Sequence, residues 1–372
     1  MKNDRKHTIV VAMSGGVDSS VAAALLLEQG HHVIGVTMKT YEFDDVGGNV
    51  ANETSCCGLG AIHDARMVAA QLGIPHYVVD FRNAFGKEVI DNFVSEYLLG
   101  RTPNPCIICN REIKWGELLR KADALGADYI ATGHYAQVRF DEARKRYIIS
   151  QANDLKKDQS YALWALSQTA LSKTVFPLGT QTKSETRALA QKYNLRTAAK
   201  QESYEICFVS DNKYERFLKE RVPQLEAEVM DGDIVWDGKV VGKHRGYPFY
   251  TVGQRKGIGA FGEPVYVTGV ESETNTVHIG RDADLFDCEL IARKVNFIGF
   301  ERLESPLRVE AAVRYKDVHS PATLYPLQED SFRIVFDEPK KAITPGQSVV
   351  CYEGKDLLGG GVIDRTLKTK AV

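Results

Sequence analysis

The fold is decided near the start of the chain by the stretch VVAMSGGVDSS, residues 10–20. This stretch joins a predicted apolar strand that ends at Met13 to a predicted helix that begins at Ser19. The two adjacent glycines allow the backbone to turn tightly and to present unhindered N–H groups. Those groups and the positive end of the helix form a cradle for an anion such as phosphate, although the ending of a Walker A loop is absent. Asp18 would repel a phosphate unless it held the loop or a Mg²⁺ ion, and we expect one of these two roles.

Strands and helices alternate around this loop through the first half of the chain. We predict strands at 7–13, 32–38, 75–79 and 128–132 and helices at 19–29, 61–72, 83–99 and 111–125. Such an alternation is typical of an α/β domain whose doubly wound parallel sheet is covered by helices on both faces. In a sheet of this kind, ligands bind at the carboxyl ends of the strands.

The second half of the chain has a different sequence pattern, which begins after a last predicted helix at 213–221. Short apolar runs are broken by turn signals such as Asp231-Gly232 and Pro345-Gly346. Apolar residues at alternate positions between 307 and 314 predict a half-buried strand. We therefore predict one or two small β domains, the last of them a barrel.

The bulk composition excludes several classes of protein. The 372 residues carry a net charge of −2 at pH 7, so any site for a polyanion has to be a local patch. No apolar run is long enough to span a membrane, and the short charged N-terminus is unlike a secretory signal, so we expect a cytoplasmic protein. The odd count of seven cysteines argues for reduced thiols and against a disulfide scaffold.

Two of the cysteines lie in surroundings that suit sulfur chemistry. Cys109 stands just before the predicted basic helix, where a thiolate is stabilised, and Arg111 and Lys114 add positive charge. These features suit a nucleophile. Cys207 lies between two apolar residues. It is either a second thiol, which sulfur transfer needs, or a small buried hydrophobe.

The same cysteines allow a second interpretation. Cys106, Cys109 and Cys207 could be three thiolate ligands of a 4Fe–4S cluster with one open iron. We interpret the remaining cysteines as packing residues: Cys56, Cys57, Cys288 and Cys351.

Seven motifs together resemble the tRNA-specific 2-thiouridylases, a family of PP-loop ATP pyrophosphatases that thiolates the wobble uridine. They are SGGVDS at 14–19, TPNP at 102–105, CN at 109–110, TGHY at 132–135, KDQSY at 157–161, ICF at 206–208 and GQRKG at 253–257. The resemblance covers essentially the whole chain. It implies an ATP-binding catalytic domain at 1–212, a central tRNA-contacting domain at 213–284 and a C-terminal β-barrel at 285–372.

The resemblance also implies roles for individual residues. Cys109 matches the family's nucleophile, and Cys207 matches its persulfide carrier. The positions that match ATP-binding residues are Ala12, Met13, Ser14, Gly15, Gly16, Val17, Asp18, Ser19, Met38 and Gly133. Asn104, Pro105 and Cys106 match the stretch that meets the target base. The positions that match tRNA contacts are His134, Lys157, Asp158, Gln159, Arg314, Tyr315 and Gln347. Many family members carry Asp where this chain has Cys106, and this difference adds weight to the cluster interpretation.

The reaction that the family performs needs these parts. The C2 oxygen of uracil is a poor leaving group, and its adenylation with ATP and Mg²⁺ turns it into a phosphate monoester. A Cys207 persulfide, or hydrosulfide released from it by Cys109, then delivers sulfur to C2 and leaves a disulfide for a reductant. The expected partners are the tRNAs for Lys, Glu and Gln and a persulfide-donating sulfur carrier or cysteine desulfurase.

Other functions remain open at this stage. A PP-loop ligase acting on a small substrate, such as a GMP or NAD synthetase, would need no second reactive cysteine. A nucleotide-gated RNA-binding protein would need neither thiol. Tyr247, Phe249 and Tyr250 lie beside the basic residues 243–245, and they either stack on RNA bases or fill a β core.

Overall fold

The computed structural model describes residues 6–42, 59–201, 206–209, 211, 213–328 and 330–367. The interpretation of Cys56 and Cys57 therefore lies outside the described residues. The chain divides into two compact units. The first comprises 1–89, 106–212 and 355–357, and the second comprises 90–105, 213–354 and 358–372.

Helices occur throughout the described chain and are numbered in chain order. The α-helices are α1 Val17–Glu28, α2 Leu59–Leu72, α3 Arg82–Phe85, α4 Asp91–Leu98, α5 Pro105–Ile108, α6 Leu119–Ala124, α7 Gln168–Ser172, α8 Lys183–Lys192, α9 Tyr214–Arg221 and α10 Leu225–Val229. Two segments are π-helical, Gly86–Ile90 and Cys109–Leu118, and three are 3₁₀-helical, Ser160–Leu163, Tyr247–Phe249 and Asp282–Leu285. None of the helices in the described ranges is long and apolar enough to cross a membrane.

Strands make up three sheets. They are β1 Thr8–Ala12, β2 His32–Lys39, β3 His76–Asp80, β4 Tyr129–Ala131, β5 Ala136–Asp141, β6 Arg146–Gln151, β7 Thr174–Val175, β8 Gly232–Trp236, β9 Lys239–His244, β10 Tyr266–Glu271, β11 Thr276–Gly280, β12 Phe286–Phe297, β13 Leu307–Ala312, β14 Ser320–Pro326, β15 Ser331–Lys341, β16 Ser348–Glu353 and β17 Asp356–Thr366.

The first unit contains a parallel sheet with the strand order β3-β2-β1-β4-β7. Every neighbouring pair in it is parallel. Val10, Val11 and Ile130 are fully buried, because strands in the middle of such a sheet are covered on both faces. The chain leaves β1 towards β2 and β3 and later returns to β4 on the other side of β1. This reversal creates a switch point between β1 and β4, where ligands bind in such sheets.

The prediction of a doubly wound parallel sheet is confirmed, and one predicted helix boundary is wrong. The predicted strand 32–38 is β2, His32–Lys39, and the predicted helix 61–72 is α2, Leu59–Leu72. The helix predicted at 111–125 begins earlier, because the chain is already helical from Pro105 through α5 and the π-helical segment. Proline is favoured at the first position of a helix, where its missing N–H costs nothing.

The second unit contains the predicted barrel. Its strands follow the order β12-β15-β14-β13-β16-β17, and β17 pairs back with β12 to close the sheet. The predicted half-buried strand is β13, in which Val309 and Ala311 are buried while Arg308 and Glu310 are exposed. A separate four-stranded sheet, β10-β11-β8-β9, belongs to the same unit.

The aromatic residues next to the basic stretch 243–245 belong to the core of the second unit. Tyr247, Phe249 and Tyr250 are all buried. The Tyr247 hydroxyl donates a hydrogen bond of 2.6 Å to the Leu98 carbonyl. Of the two roles left open for these side chains, the structure therefore favours core packing over stacking on bases.

Candidate functional site

The glycine loop between β1 and α1 is held in shape by its own hydroxyls. Gly15 has φ +68°, and a Cβ on it would lie 2.1 Å from the Ala61 carbonyl oxygen, so only glycine fits there. The Ser19 hydroxyl accepts from the Ser14 N–H at 3.2 Å and donates to the Gly16 carbonyl at 3.2 Å. The loop is thus a fixed turn directly at the carboxyl end of β1.

The segment after β4 packs against the first turn of α1. A Cβ on Gly133 would lie 2.8 Å from the Ser19 nitrogen and 2.9 Å from the Asp18 carbonyl carbon. Met38 follows Thr37, whose hydroxyl donates to the Met13 carbonyl at 2.8 Å. The segments predicted to bind ATP therefore converge at the switch point between β1 and β4.

Asp18 holds the loop, which is one of the two roles expected for it. Its carboxylate accepts two hydrogen bonds from the Lys183 ammonium, at 2.7 and 2.9 Å, and one from the Tyr135 hydroxyl at 2.9 Å. The Lys183 side chain is only 12% exposed. A partly buried ion pair of this kind fixes α8 to the start of α1.

A second lysine reaches the same loop. The Lys200 ammonium donates to the Gly15 carbonyl at 3.1 Å and to the Asp64 carboxylate at 2.7 Å. No sequence motif marks Lys183 or Lys200 as a functional residue. The start of α8 was detectable, since Thr182 and Glu185 form a capping box, but the ion pair across the chain was not. The two ammonium groups add positive charge beside an anion cradle.

His134 follows Gly133 in the chain and belongs to a partly buried hydrogen-bond network. Its Nδ1 is 2.7 Å from the Thr132 hydroxyl, and its Nε2 is 3.4 Å from the Lys114 ammonium. An ammonium can only donate, so Nε2 accepts and the ring proton is on Nδ1. Burial, followed by the charge of Lys114, holds the pKa of His134 well below its usual value, so the ring is neutral at pH 7.

Cys109 begins the π-helical segment rather than a helix. Segments of this kind are rare and are frequent at functional sites. The prediction that Cys109 stands just before a helix start is wrong, because the chain is already helical from Pro105. The positive charge that Arg111 is expected to add near Cys109 is paired, because the Arg111 guanidinium donates to the Glu112 carboxylate at 2.6 Å.

Cys207 is partly exposed and lies beside a buried aromatic anchor. Phe208 is buried and contacts Phe85 edge-on, with 5.7 Å between the ring centroids. The Tyr41 hydroxyl donates to the Cys207 carbonyl at 2.6 Å. Phe85 belongs to α3, which also contacts the π-helical segment that begins at Cys109. The two cysteine segments therefore flank the same short helix.

The structure bears on two interpretations of the cysteines: the packing role of Cys351 and the cluster formed by Cys106, Cys109 and Cys207. Burial raises the pKa of the Cys351 thiol to about 12, which fits a packing residue. No disulfide joins the cysteines within the described ranges. Among those residues no three His, Cys, Asp or Glu side chains form a group that could hold a metal. Cys106, Cys109 and Cys207 are thus not assembled as cluster ligands.

Some of the residues predicted to contact tRNA have side chains that bind other protein groups, and others have exposed side chains. The Asp158 carboxylate accepts from the Ala152 N–H at 2.9 Å and from the Ser160 hydroxyl at 2.6 Å, and the Gln159 side-chain oxygen accepts from the Tyr135 N–H at 3.0 Å. These two side chains therefore bind neighbouring parts of the protein itself. Arg314, Tyr315 and Lys316 are all exposed, and the Lys316 ammonium lies 5.5 Å from the centre of the Tyr315 ring.

The fold and the glycine loop at the switch point define a nucleotide-binding enzyme of the PP-loop class. Family models match most of the chain. Residues 7–211 match the model described as tRNA methyl transferase HUP domain, 215–281 the tRNA methyl transferase PRC-barrel domain and 287–363 the aminomethyltransferase beta-barrel domain.

The chain belongs to the tRNA-specific 2-thiouridylase family. It is 50% identical to the tRNA-specific 2-thiouridylase MnmA of Salinibacter ruber, over 96% of this chain and 94% of the relative. It is also 50% identical to that of Carboxydothermus hydrogenoformans, over 97% and 99%, and 48% identical to that of Clostridioides difficile, over 96% and 98%.

Proposed function

We propose that this protein uses ATP to exchange the C2 oxygen of the wobble uridine in tRNA for sulfur. The observation that carries the proposal is the convergence of the glycine loop and Gly133 at the switch point of the sheet, in a member of this family. Its relatives are tRNA-specific 2-thiouridylases, and this activity supplies the tRNA substrate and the 2-thiouridine product. AMP and pyrophosphate are the other products.

The first half of the reaction is adenylation of the C2 oxygen. Backbone N–H groups of the glycine loop and the start of α1 bind the phosphates. The lysines that brace the loop, Lys183 and Lys200, add positive charge where ATP is split between its α- and β-phosphates. Mg²⁺ bound to the phosphate oxygens would neutralise further negative charge. Asp18 is the one carboxylate of the glycine loop, and it already binds the Lys183 ammonium.

The second half is sulfur transfer between the two cysteines. The terminal sulfur of a Cys207 persulfide bonds to C2 and expels AMP. The Cys109 thiolate then attacks the Cys207 sulfur, so that the sulfur–sulfur bond of the adduct breaks and the thiocarbonyl stays on the base. Oxidation of the two thiols to a disulfide provides the two electrons that reduce the transferred sulfur. A thiol reductant reopens the disulfide.

This mechanism sets the chemical class of the partners. A persulfide donor, either a sulfur carrier or a cysteine desulfurase, loads Cys207, whose partial exposure makes it accessible. The tRNAs are those for Lys, Glu and Gln. The exposed Arg314-Tyr315-Lys316 stretch is a suitable local patch for RNA on a near-neutral protein. The persulfide route is favoured over an iron–sulfur cluster, because the three candidate cysteines are not grouped as ligands.

One assay separates this function from the alternatives. We expect purified protein with ATP, a persulfide donor and a tRNA carrying wobble uridine to produce AMP and 2-thiouridine in equal amounts, measured by nucleoside mass spectrometry. A transcript with cytidine at the wobble position is the control and should give no thiolated base. AMP formed without RNA would indicate a small-substrate ligase, and no AMP at all would indicate a binding protein.

We expect Tyr41→Phe to slow sulfur transfer without slowing adenylation. The change removes the hydrogen bond from the Tyr41 hydroxyl to the Cys207 carbonyl, which is worth about 1 kcal/mol or roughly a fivefold change in rate. Single-turnover formation of 2-thiouridine and of pyrophosphate should be measured separately, because pyrophosphate is released by adenylation. Tyr77→Phe is the matched control, since the Tyr77 side chain is 51% exposed. Equal slowing of both steps would contradict this role.

A further inference from the structure

The residues that directly precede the stretch predicted to meet the target base, Asn104 to Cys106, are held by the C-terminal barrel. We define the base loop as residues 102–104 and the barrel turn as residues 345–347, the turn before β16. The Thr102 N–H donates to the Pro345 carbonyl at 2.9 Å. The Gln347 side-chain amide donates to the Thr102 carbonyl at 2.9 Å and to the Pro103 carbonyl at 3.1 Å. Proline has no N–H, so the barrel turn binds every backbone polar group of residues 102 and 103.

The approach of the two segments is close enough to require glycine. Gly346 is buried and has φ +90°, and a Cβ on it would lie 2.9 Å from both the nitrogen and the oxygen of Thr102. Backbone atoms cannot move aside as a flexible side chain can. The base loop therefore rests directly on the backbone of the barrel turn.

The barrel turn is itself fixed to β17. The Gly346 N–H donates to the Ile363 carbonyl at 2.9 Å, and the Ile363 N–H donates to the Gln347 carbonyl at 2.7 Å. Arg101, the residue before the base loop, donates to the same Ile363 carbonyl at 3.0 Å and pairs with the partly buried Glu96 at 2.8 Å. The loop is consequently held at two successive points by one strand of a closed barrel.

We propose that the barrel turn sets the position of the base loop, and that Gln347 is a positioning residue for the target uridine. The inference rests on the proposed function. Gln347 is predicted to contact tRNA, and the proposal gives it this further role because its amide group donates to two carbonyls of the base loop. The wobble base has to leave its stack to react. A misplacement of about 1 Å at the reacting groups costs roughly 100-fold in rate.

Two substitutions in the barrel turn test the proposal. Gln347→Met keeps the length of the side chain and removes its donors, and Gly346→Ala inserts a methyl group against Thr102. We expect kcat for 2-thiouridine formation to fall about 3–10-fold and about 10–100-fold respectively. The KM for tRNA should stay within about twofold, because a positioning residue acts on the reacting geometry more than on binding.

The chain offers a matched control in the next turn of the same barrel. Gly354 also has a positive φ, +58°, and a Cβ on it would have nothing within 4 Å. Gly354→Ala therefore introduces comparable backbone strain without touching the base loop, and its kcat should stay near that of the unmodified protein. If Gly346→Ala and Gly354→Ala lower kcat equally, strain is the cause and the proposal is overturned.

A second readout does not depend on catalysis. Hydrogen–deuterium exchange at the Thr102 amide reports on its bond to Pro345, and we expect faster exchange in both barrel-turn variants and unchanged exchange in Gly354→Ala. A rise in KM for tRNA with unchanged kcat and exchange in Gln347→Met would make Gln347 an RNA contact and overturn the proposal. If the unmodified protein makes no 2-thiouridine, the proposed function fails, while exchange still decides whether the barrel turn holds the loop.

Discussion

Cys207→Ser should lower the rate of 2-thiouridine formation by at least about 1,000-fold, since a serine oxygen cannot carry a persulfide and loss of a covalent nucleophile has effects of this size or larger. Pyrophosphate release from ATP in the presence of tRNA should continue in a single turnover, because adenylation takes place at the glycine loop and needs no thiol. AMP is expelled only when sulfur displaces it, so pyrophosphate and the nucleoside are measured in the same reaction, pyrophosphate by chromatography and the nucleoside by mass spectrometry.

The control for this change is another partly buried cysteine. Cys288→Ser lies in β12 of the barrel and makes the same sulfur-to-oxygen replacement away from the proposed chemistry. It should leave both products unchanged. A Cys207→Ser protein that still thiolates uridine at the normal rate would refute the persulfide role. Loss of pyrophosphate release as well would mean that Cys207 supports the nucleotide site or the fold.

The surroundings of Cys207 explain why Cys207→Ser should keep the local structure. Phe208 and Val209 are buried, and Phe208 packs on Phe85, so these neighbours anchor the segment. The Tyr41 hydroxyl binds the backbone carbonyl of Cys207, which serine also has. A serine at this position keeps both attachments and removes the sulfur.

Much of the first unit could be predicted from the sequence, because its signals are local. A strand such as β1 is a short apolar run, and the Gly-Gly pair at 15–16 marks the turn that the phosphate cradle needs. Alternating strands and helices of this kind leave few possible sheets. The barrel could be predicted only as a class, since closure depends on the pairing of β12 with β17 at opposite ends of the domain.

The parts of the site that could not be predicted depend on long-range contacts. The pairing of Asp18 with Lys183 and of Lys200 with the Gly15 carbonyl joins residues far apart in the chain, and no local pattern indicates it. The helix that begins at Pro105 is predicted too late in the chain, from residue 111, because a proline alone does not mark its true start. The contact of Gln347 with the base loop is a third case, since residues 102 and 347 meet only in the folded chain.

Gly133→Ala should abolish ATP-dependent AMP formation. An added methyl group would lie 2.8 Å from the Ser19 nitrogen and 2.9 Å from the Asp18 carbonyl carbon, which is closer than real Cβ contacts come. Because α1 is tied to α8 through Asp18 and Lys183, the start of the helix cannot simply move away. We expect the segment after β4 to be displaced from the cradle and kcat/KM for ATP to fall by about 100-fold or more.

Gly86→Ala separates this effect from a general cost of replacing glycine. Gly86 lies in a helical stretch, has φ −56°, and a Cβ on it would meet nothing within 4 Å. Alanine is favoured over glycine in a helix by up to about 1 kcal/mol, so this control should keep its activity and unfold at a slightly higher temperature. Far-UV circular dichroism should show that Gly133→Ala is folded. If that folded variant binds ATP and forms AMP normally, the convergence of Gly133 with the glycine loop is not part of the nucleotide site.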